Sequence, residues 1–432
     1  MIVDKILKTV DEPIIKSFLQ TDMYKFTMGQ FIHKWYRDVE TNSSFINRTT
    51  AVKLGRLIDI GRLKEELDHV KTVLPTAAEV AYIGNIVRGE NLSDTTGYLE
   101  FLKNFQWSDY NLEISPDGQL ELEFSQAWKQ STYWEIPALQ IVNALACQAW
   151  LKEMTISQKE SLIKNGIARL KAKISDLRSL NQWSEEQNYP YLLPFVDFGT
   201  RRAFHPEWQR YVTNTVARAL PENFQGTSNV FIAKEDSLIP RGTSAHEPQM
   251  VIAGLKLAAG GDLSQAQREF MDRWLAMYGF DRMVPPTDTY GSDYFFHNMK
   301  DNDFQQWLGF RQDSGDPAQY SEKVIAHYKR RKIDSNRKTL FYSDGLKLPL
   351  MISLYKKYAR LINIGNGWGT NLTFDFLGLN PLSIVIKPTE ANGCKLVKLS
   401  DNIAKATGDP DEIARYKKLV HYENKFEEAC VY

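Results

Sequence analysis

Apolar positions recur every three or four residues through the first part of the chain, then give way to short apolar runs that stop at polar clusters. Tyr24, Met28, Phe31, Ile32 and Trp35 share one helical face, and Thr21 or Asp22 can cap that helix. Ser43 to Thr49 reads as a strand, and a charged helical region runs from Leu57 to Val87. Leu112 to Ile114, the turn Asp117-Gly118 and the alternating Leu120, Leu122 and Phe124 predict a β-hairpin. This early part therefore reads as a mixed α+β unit.

At Trp134-Glu135-Ile136-Pro137 the pattern changes. An apolar helix covers Ala138 to Leu151, and an amphipathic one follows with Ile163, Ile167, Leu170, Ile174 and Leu177. Strands and helices then alternate. Polar clusters recur at 199–202, 226–229, 242–247, 287–289, 311–316, 343–345 and 365–370. Seven clusters at βα spacing predict an α/β barrel, in which strand C-terminal ends and their loops build the active site. A doubly wound sheet would concentrate them at one switch point. In the tail, Leu382 to Lys387 and Lys395 to Leu399 flank Asn392-Gly393, a hairpin signal. This hairpin is expected to leave the barrel and pack near the N-terminal domain.

Composition narrows the function classes. Lys+Arg and Asp+Glu are equal at 53 each, so net charge points to neither a nucleic-acid nor a membrane-surface partner. The 432 residues suffice for two or three domains. Ten Trp favour large cores and an oligomer interface. Cys147, Cys394 and Cys430 are far apart and form no C-x-x-C pair, which argues against a disulfide framework or zinc site and fits a reducing cytoplasm. Residues 1–10 carry Asp4, Lys5 and Lys8 and do not read as a secretory leader. No apolar run reaches the roughly 18 residues of a membrane span.

The clusters carry candidate chemistry. Gly242-Thr243-Ser244-Ala245-His246-Glu247 puts a histidine beside a turn whose amides and hydroxyls suit phosphate. His246 can serve as a base or accept a phosphoryl group. The plainer alternative is an N-cap at Thr243 or Ser244 followed by an exposed histidine. Asp313 and Asp316 flank a glycine and can bind Mg²⁺ or ribose hydroxyls, or simply cap the helix after Pro317. Arg311 suits a carboxylate or phosphate, or an ion pair with Asp313. Gly365, Gly367, Gly369 and Thr370 form a glycine-rich loop after a strand, suited to phosphate, or a flexible turn. Asp344-Gly345 could hold a sugar diol. Phe198 and Tyr24 can stack on a flat ligand or pack in the core, and Arg201 and Arg202 suit phosphate or solvent. Together these residues describe a site for a phosphorylated sugar with a charged transition state.

The motifs resemble those of the nicotinate phosphoribosyltransferase family. They are T-D-M-Y-K-F at 21–26, D-F-G-T-R-R at 197–202, G-T-S-N at 226–229, G-T-S-A-H-E at 242–247, R-Q-D-S-G-D at 311–316, Y-S-D-G at 342–345, G-x-G-T at 367–370 and S-I-V-I-K at 383–387. The resemblance implies a type II phosphoribosyltransferase fold: an irregular TIM-like α/β barrel plus an α/β sandwich domain built from both chain ends. Expected boundaries are 1–136, 137–385 and 386–432. The implied activity joins nicotinate to phosphoribosyl pyrophosphate, the first step of a salvage route to NAD, with ATP hydrolysed through a phosphohistidine. That is a ligase-type glycosyl transfer.

The resemblance also implies residue roles. Nicotinate lies between Phe198 and Tyr24, with Tyr24 supplied by the partner subunit of a homodimer. Arg311 and Thr243 contact its carboxylate. Arg201, Asp344, Gly367, Gly369 and Thr370 hold phosphoribosyl pyrophosphate. Asp288, Asp313 and Asp316 surround the ribose and Mg²⁺, with Asp313 and Asp316 as metal ligands. His246 is the phosphorylated residue. Three other readings stay open on sequence: a nicotinamide phosphoribosyltransferase, a Mg²⁺-dependent phosphosugar hydrolase, and a non-catalytic sensor of pyridine nucleotides.

Overall fold

The computed structural model describes residues 2, 5, 6, 12–88 and 92–429; Cys430 lies outside them. Strands β1 (Glu40–Asn47), β2 (Tyr110–Ile114) and β3 (Leu120–Ala127) come from the N-terminal part. Strands β4 (Phe195–Asp197), β5 (Phe224–Thr227), β6 (Gly309–Gln312), β7 (Thr339–Tyr342) and β8 (Asn363–Trp368) follow. Near the C-terminus lie β9 (Ile384–Ala391) and β10 (Cys394–Lys395).

The first sheet has the order β10-β9-β1-β3-β2, so both chain ends build it. The predicted hairpin is β2–β3, paired antiparallel from Tyr110↔Phe124 to Ile114↔Leu120. Leu120, Leu122 and Phe124 point inward, as their alternation requires. With Phe45, Ile384 and Ile386 they pack on Trp134, Leu139 and Val142. The tail hairpin forms, with changed limits. Its first arm runs on to Ala391, and its second is the two-residue β10. Asn392 and Gly393 both have positive φ (46° and 77°), which a two-residue turn between twisted strands demands. The tail joins the N-terminal part because β9 pairs with β1 over Thr41↔Ala391 to Asn47↔Ile384.

The second sheet is parallel, with the order β5-β4-β8-β7-β6. Single parallel bridges extend it at both edges, Thr227 to Pro240 and Arg311 to Pro286. It is the irregular α/β barrel expected from the βα spacing. Five of the seven clusters lie at strand ends. Those at 242–247 and 287–289 follow only the bridged prolines, because proline lacks the N–H that a longer ladder needs.

Helix α1 (Met23–Trp35) buries Met28, Phe31 and Ile32 as predicted, but also Lys25, Thr27 and Gln30. Neither Thr21 nor Asp22 caps it with a side chain. The first helical N–H, that of Met23, donates to the Ser228 carbonyl, and the Asp22 carboxylate instead accepts from the Ser228 hydroxyl at 2.6 Å. Helix α2 (Glu135–Lys152) is buried from Glu135 to Cys147, and α3 (Ile156–Glu186) lays Ile163, Leu170, Ile174 and Leu177 on the barrel. Six of the ten Trp are fully buried within the chain and none is exposed, so they build the large cores that tryptophan content predicts. Among the described residues no helix is long and apolar enough to cross a membrane.

Candidate active site

A cavity opens at the C-terminal ends of the barrel strands. Tyr24, Phe198, Arg201, Thr243, His246, Arg311, Asp313, Asp344, Gly367, Gly369 and Thr370 all line it. These positions span nearly the whole chain. Tyr24 comes from the helix Met23–Trp35, and the others meet because parallel strands deliver the residues at each C-terminal end to one rim.

His246 is the first residue of helix α4 (His246–Ala258), and Ala245 is its N-cap. Thr243 and Ser244 therefore do not cap, and the histidine is not exposed: it is 4% accessible. Its Nδ1 lies 2.9 Å from the Thr289 hydroxyl and its Nε2 lies 3.0 Å from Asp313 Oδ2. An ionised carboxylate can only accept, so Nε2 carries the proton and Nδ1 accepts from Thr289. Burial, reinforced by the Lys398 charge, lowers the imidazole to about 4. At pH 7 the ring is neutral and keeps a lone pair on Nδ1. Gly242 has no positive φ. It is there for close approach, since a Cβ would lie 2.9 Å from the Tyr24 amide nitrogen.

Asp313 lies just beyond β6. Burial opposes its ionisation, but Arg311 and the His246 hydrogen bond hold its carboxyl well below the usual range. Ser343 Oγ donates to its Oδ1 at 2.6 Å. Arg311 donates to the Ser244 carbonyl at 2.8 Å and approaches Asp313 only to 4.0 Å, so its guanidinium is not locked in that ion pair. Asp288 stands behind the cavity wall. Its Oδ2 accepts from Ser314 Oγ at 2.5 Å, Ser400 Oγ at 3.1 Å and Lys398 Nζ at 3.3 Å. Its Oδ1 lies 3.6 Å from His246 Nε2 and has no hydrogen-bond partner among the described residues. Burial would raise this carboxyl, but Lys398 and His246 bring it down to about 2.

Two expectations are corrected. Asp316 does not join Asp313: it is the N-cap of helix α5 (Pro317–Arg330), accepts from the Gln319 amide at 2.7 Å and is absent from the cavity wall. Proline at the next position starts the helix and commits the preceding carboxylate to its end. The glycine-rich segment is not a loop, because Gly365 and Gly367 lie inside β8. A Cβ at 365 would sit 2.5 Å from the Phe341 ring, and one at 367 would sit 2.4 Å from Phe198 Cδ2. The glycines make room for two aromatic rings whose centroids are 5.5 Å apart. Only Gly369 follows the strand, as N-cap of the short helix Thr370–Thr373.

Residues 193–424 match the family model described as the nicotinate phosphoribosyltransferase family, and residues 19–143 match its N-terminal domain. The chain belongs to the nicotinate phosphoribosyltransferase family. The crystal structure of nicotinate phosphoribosyltransferase from Porphyromonas gingivalis is similar at 27% identity with a TM-score of 0.81, covering 94% of this chain and all (100%) of that one. The crystal structure of the Vibrio cholerae nicotinate phosphoribosyltransferase is similar at 28% identity with a TM-score of 0.82, covering 96% of each chain.

This nicotinate phosphoribosyltransferase-family chain corrects one implied feature, the origin of Tyr24. Tyr24 lines the cavity of its own chain, fixed by its hydroxyl donating to Glu135 Oε2 at 2.9 Å. Sequence reasoning also passed over much of the positive charge. Arg48, Arg241, Lys387, Lys398 and Lys405 line the cavity beside Arg201 and Arg311. Lys387 had a readable signal: in β9 it shares a strand face with Val385, and both line the cavity. Lys398 and Lys405 come from the irregular segment after β10, where no period marks a face. Lys405 ion-pairs with Asp344 and donates to the Asp313 carbonyl at 3.0 Å. Burial raises the Asp344 carboxyl, and Lys405 offsets this only in part.

Proposed function

We propose that this chain makes nicotinate mononucleotide from nicotinate and phosphoribosyl pyrophosphate, and that ATP drives the reaction through phosphorylation of His246. The observation that carries this reading is a neutral, buried His246, oriented by ionised Asp313, opening into one cavity with aromatic and basic walls.

Phe198 and Tyr24 supply flat faces for the pyridine ring. Arg311, with Thr243 beside it, is the donor for the nicotinate carboxylate, a bidentate acceptor that nicotinamide lacks. Arg201, Thr370 and the amide at Gly369 suit the phosphate groups, and Asp344 suits the ribose diol. The pyridine nitrogen donates its lone pair to ribose C1, and the C1–O bond breaks with its electrons leaving on pyrophosphate. Asp313 faces the cavity to stabilise the positive ribose that develops. Asp288 Oδ1 and Asp313 are the oxygens suited to Mg²⁺, while protonated His246 Nε2 is not; the ion would neutralise charge on pyrophosphate.

In the ATP step, Nδ1, once released by the Thr289 hydroxyl, attacks the γ-phosphorus and ADP leaves with the bond electrons; water later cleaves the P–N bond. The phosphoryl group adds about 1.5–2 negative charges beside two carboxylates, a force large enough to rearrange the surrounding lysines and arginines. We assign the working assembly as a cytoplasmic homodimer, with Tyr24 contributed within each chain.

Product formation from nicotinate and from nicotinamide, each with and without ATP, tests the reading. Product from the acid only, promoted by ATP, is expected. Product from the amide moves the chain to the nicotinamide reaction. No product and no pyrophosphate from either means that the scaffold runs other chemistry.

Gly367→Ala probes the ring pocket. The new Cβ pushes the Phe198 ring, which Phe341 backs. A misplaced ring should lower kcat/KM for nicotinate by up to about 10²-fold, chiefly through KM. An unchanged KM would remove Phe198 from the nicotinate site.

A further inference from the structure

Besides Asp288, a group of three charged residues lies behind the cavity wall without lining it: Lys25, Glu135 and Glu247. Lys25 is completely inaccessible (0%). Its ammonium lies 2.7 Å from Glu135 Oε2, 2.8 Å from Glu247 Oε2 and 3.3 Å from the Thr132 hydroxyl, so all three of its protons have acceptors. Glu247 is also held at its other oxygen, where Trp128 Nε1 donates at 2.7 Å. Glu135 faces the cavity residues. Its Oε2 accepts from Tyr24, and its Oε1 lies 3.2 Å from Lys387 Nζ and 3.6 Å from Arg201 Nη1.

Glu247 immediately follows His246 in the first turn of α4, and Pro248 stiffens that turn. Any movement of His246 is therefore passed to a carboxylate gripped at both oxygens. Buried, fully paired charges transmit displacement well, because leaving one of them unpaired is costly. From Lys25 the connection continues to Glu135, and from there to Tyr24, Arg201 and Lys387.

We propose that Lys25 and Glu247 are positioning residues that couple the charge state of His246 to the substrate cavity through Glu135. This rests on the phosphohistidine reading above. Neither residue touches substrate. Their role is to change how Tyr24, Arg201 and Lys387 are presented when His246 gains or loses a phosphoryl group.

The test compares KM for phosphoribosyl pyrophosphate with and without ATP in the full-length protein and in Glu247→Gln. Trp128→Phe, which loosens the Glu247 carboxylate without removing charge, is the companion variant, and thermal unfolding reports the fold of each. Energetic coupling between sites is typically worth about 5–150-fold, so the ATP effect on KM should shrink at least about fivefold in both variants. The ATP-independent rate should hold within about twofold, the spread expected when no contact to reactants is lost. In a His246→Ala background, Glu247→Gln should change neither rate, because the signal it carries is already gone. A wild-type protein indifferent to ATP defeats the phosphohistidine reading and this inference together. A wild-type response retained in folded variants defeats the inference alone. Equal loss of both rates reduces Lys25 and Glu247 to supports of the fold and also overturns it.

Discussion

Asp313→Ala should lose about 10²–10³-fold in kcat/KM both with and without ATP, the size seen when one preorganised electrostatic partner is removed from a reacting centre. The reason is that this carboxylate has two tasks. It faces the cavity where positive charge develops on ribose, and it fixes the proton on His246 Nε2 from 3.0 Å. His246→Ala separates the two tasks. It should abolish ATP stimulation and leave the slow ATP-independent reaction near its wild-type rate. Initial rates of nicotinate mononucleotide formation for both variants, with and without ATP, make the comparison. A folded His246→Ala protein inactive under both conditions would falsify the assignment of His246 to the ATP step and put it in the glycosyl transfer itself.

Lys25→Met should destabilise the protein by about 3–5 kcal/mol, the cost of breaking a buried ion pair by removing one partner. Methionine fills the space but leaves Glu247 with only Trp128 and two carboxylates facing each other across the gap. In the native protein, burial works against the Lys25 ammonium, but Glu135 and then Glu247 outweigh it and raise its pKa. Adding Glu247→Gln to Lys25→Met should recover part of the loss, because a neutral amide needs no counter-ion. Urea unfolding midpoints of the single and double variants measure both effects. A loss below about 1 kcal/mol in the single variant would mean that the site relaxes or admits water, and would place the pair among weakly contributing ion pairs.

Lys25 also shows why periodicity reads some positions and not others. On α1, Met28, Phe31 and Ile32 fall on the expected face, yet Lys25, Thr27 and Gln30 are equally buried. A helix enclosed on more than one side has no polar face, and its charged residues survive burial only by pairing. Those partners lie more than a hundred residues away in sequence, so helical period alone cannot identify them. Asp316 illustrates the converse. Its spacing from Asp313 suggested a metal pair, but the proline that follows decided the matter locally.

By itself the chain's pattern determined the α/β class, both hairpins, the clusters at strand ends and the family resemblance. Each depends on neighbours within a few residues, where backbone period and turn chemistry dominate. Tertiary structure alone decided which charges meet. It buried His246 between Thr289 and Asp313, swung Lys387, Lys398 and Lys405 from the tail into the cavity, and turned Asp316 away to a helix end. Electrostatic and hydrogen-bond energies depend on ångström distances and on burial, and neither is encoded in sequence spacing. The glycines of β8 belong to the same class: their motif was legible, but its purpose, room for two aromatic rings, became visible only once the strands were side by side.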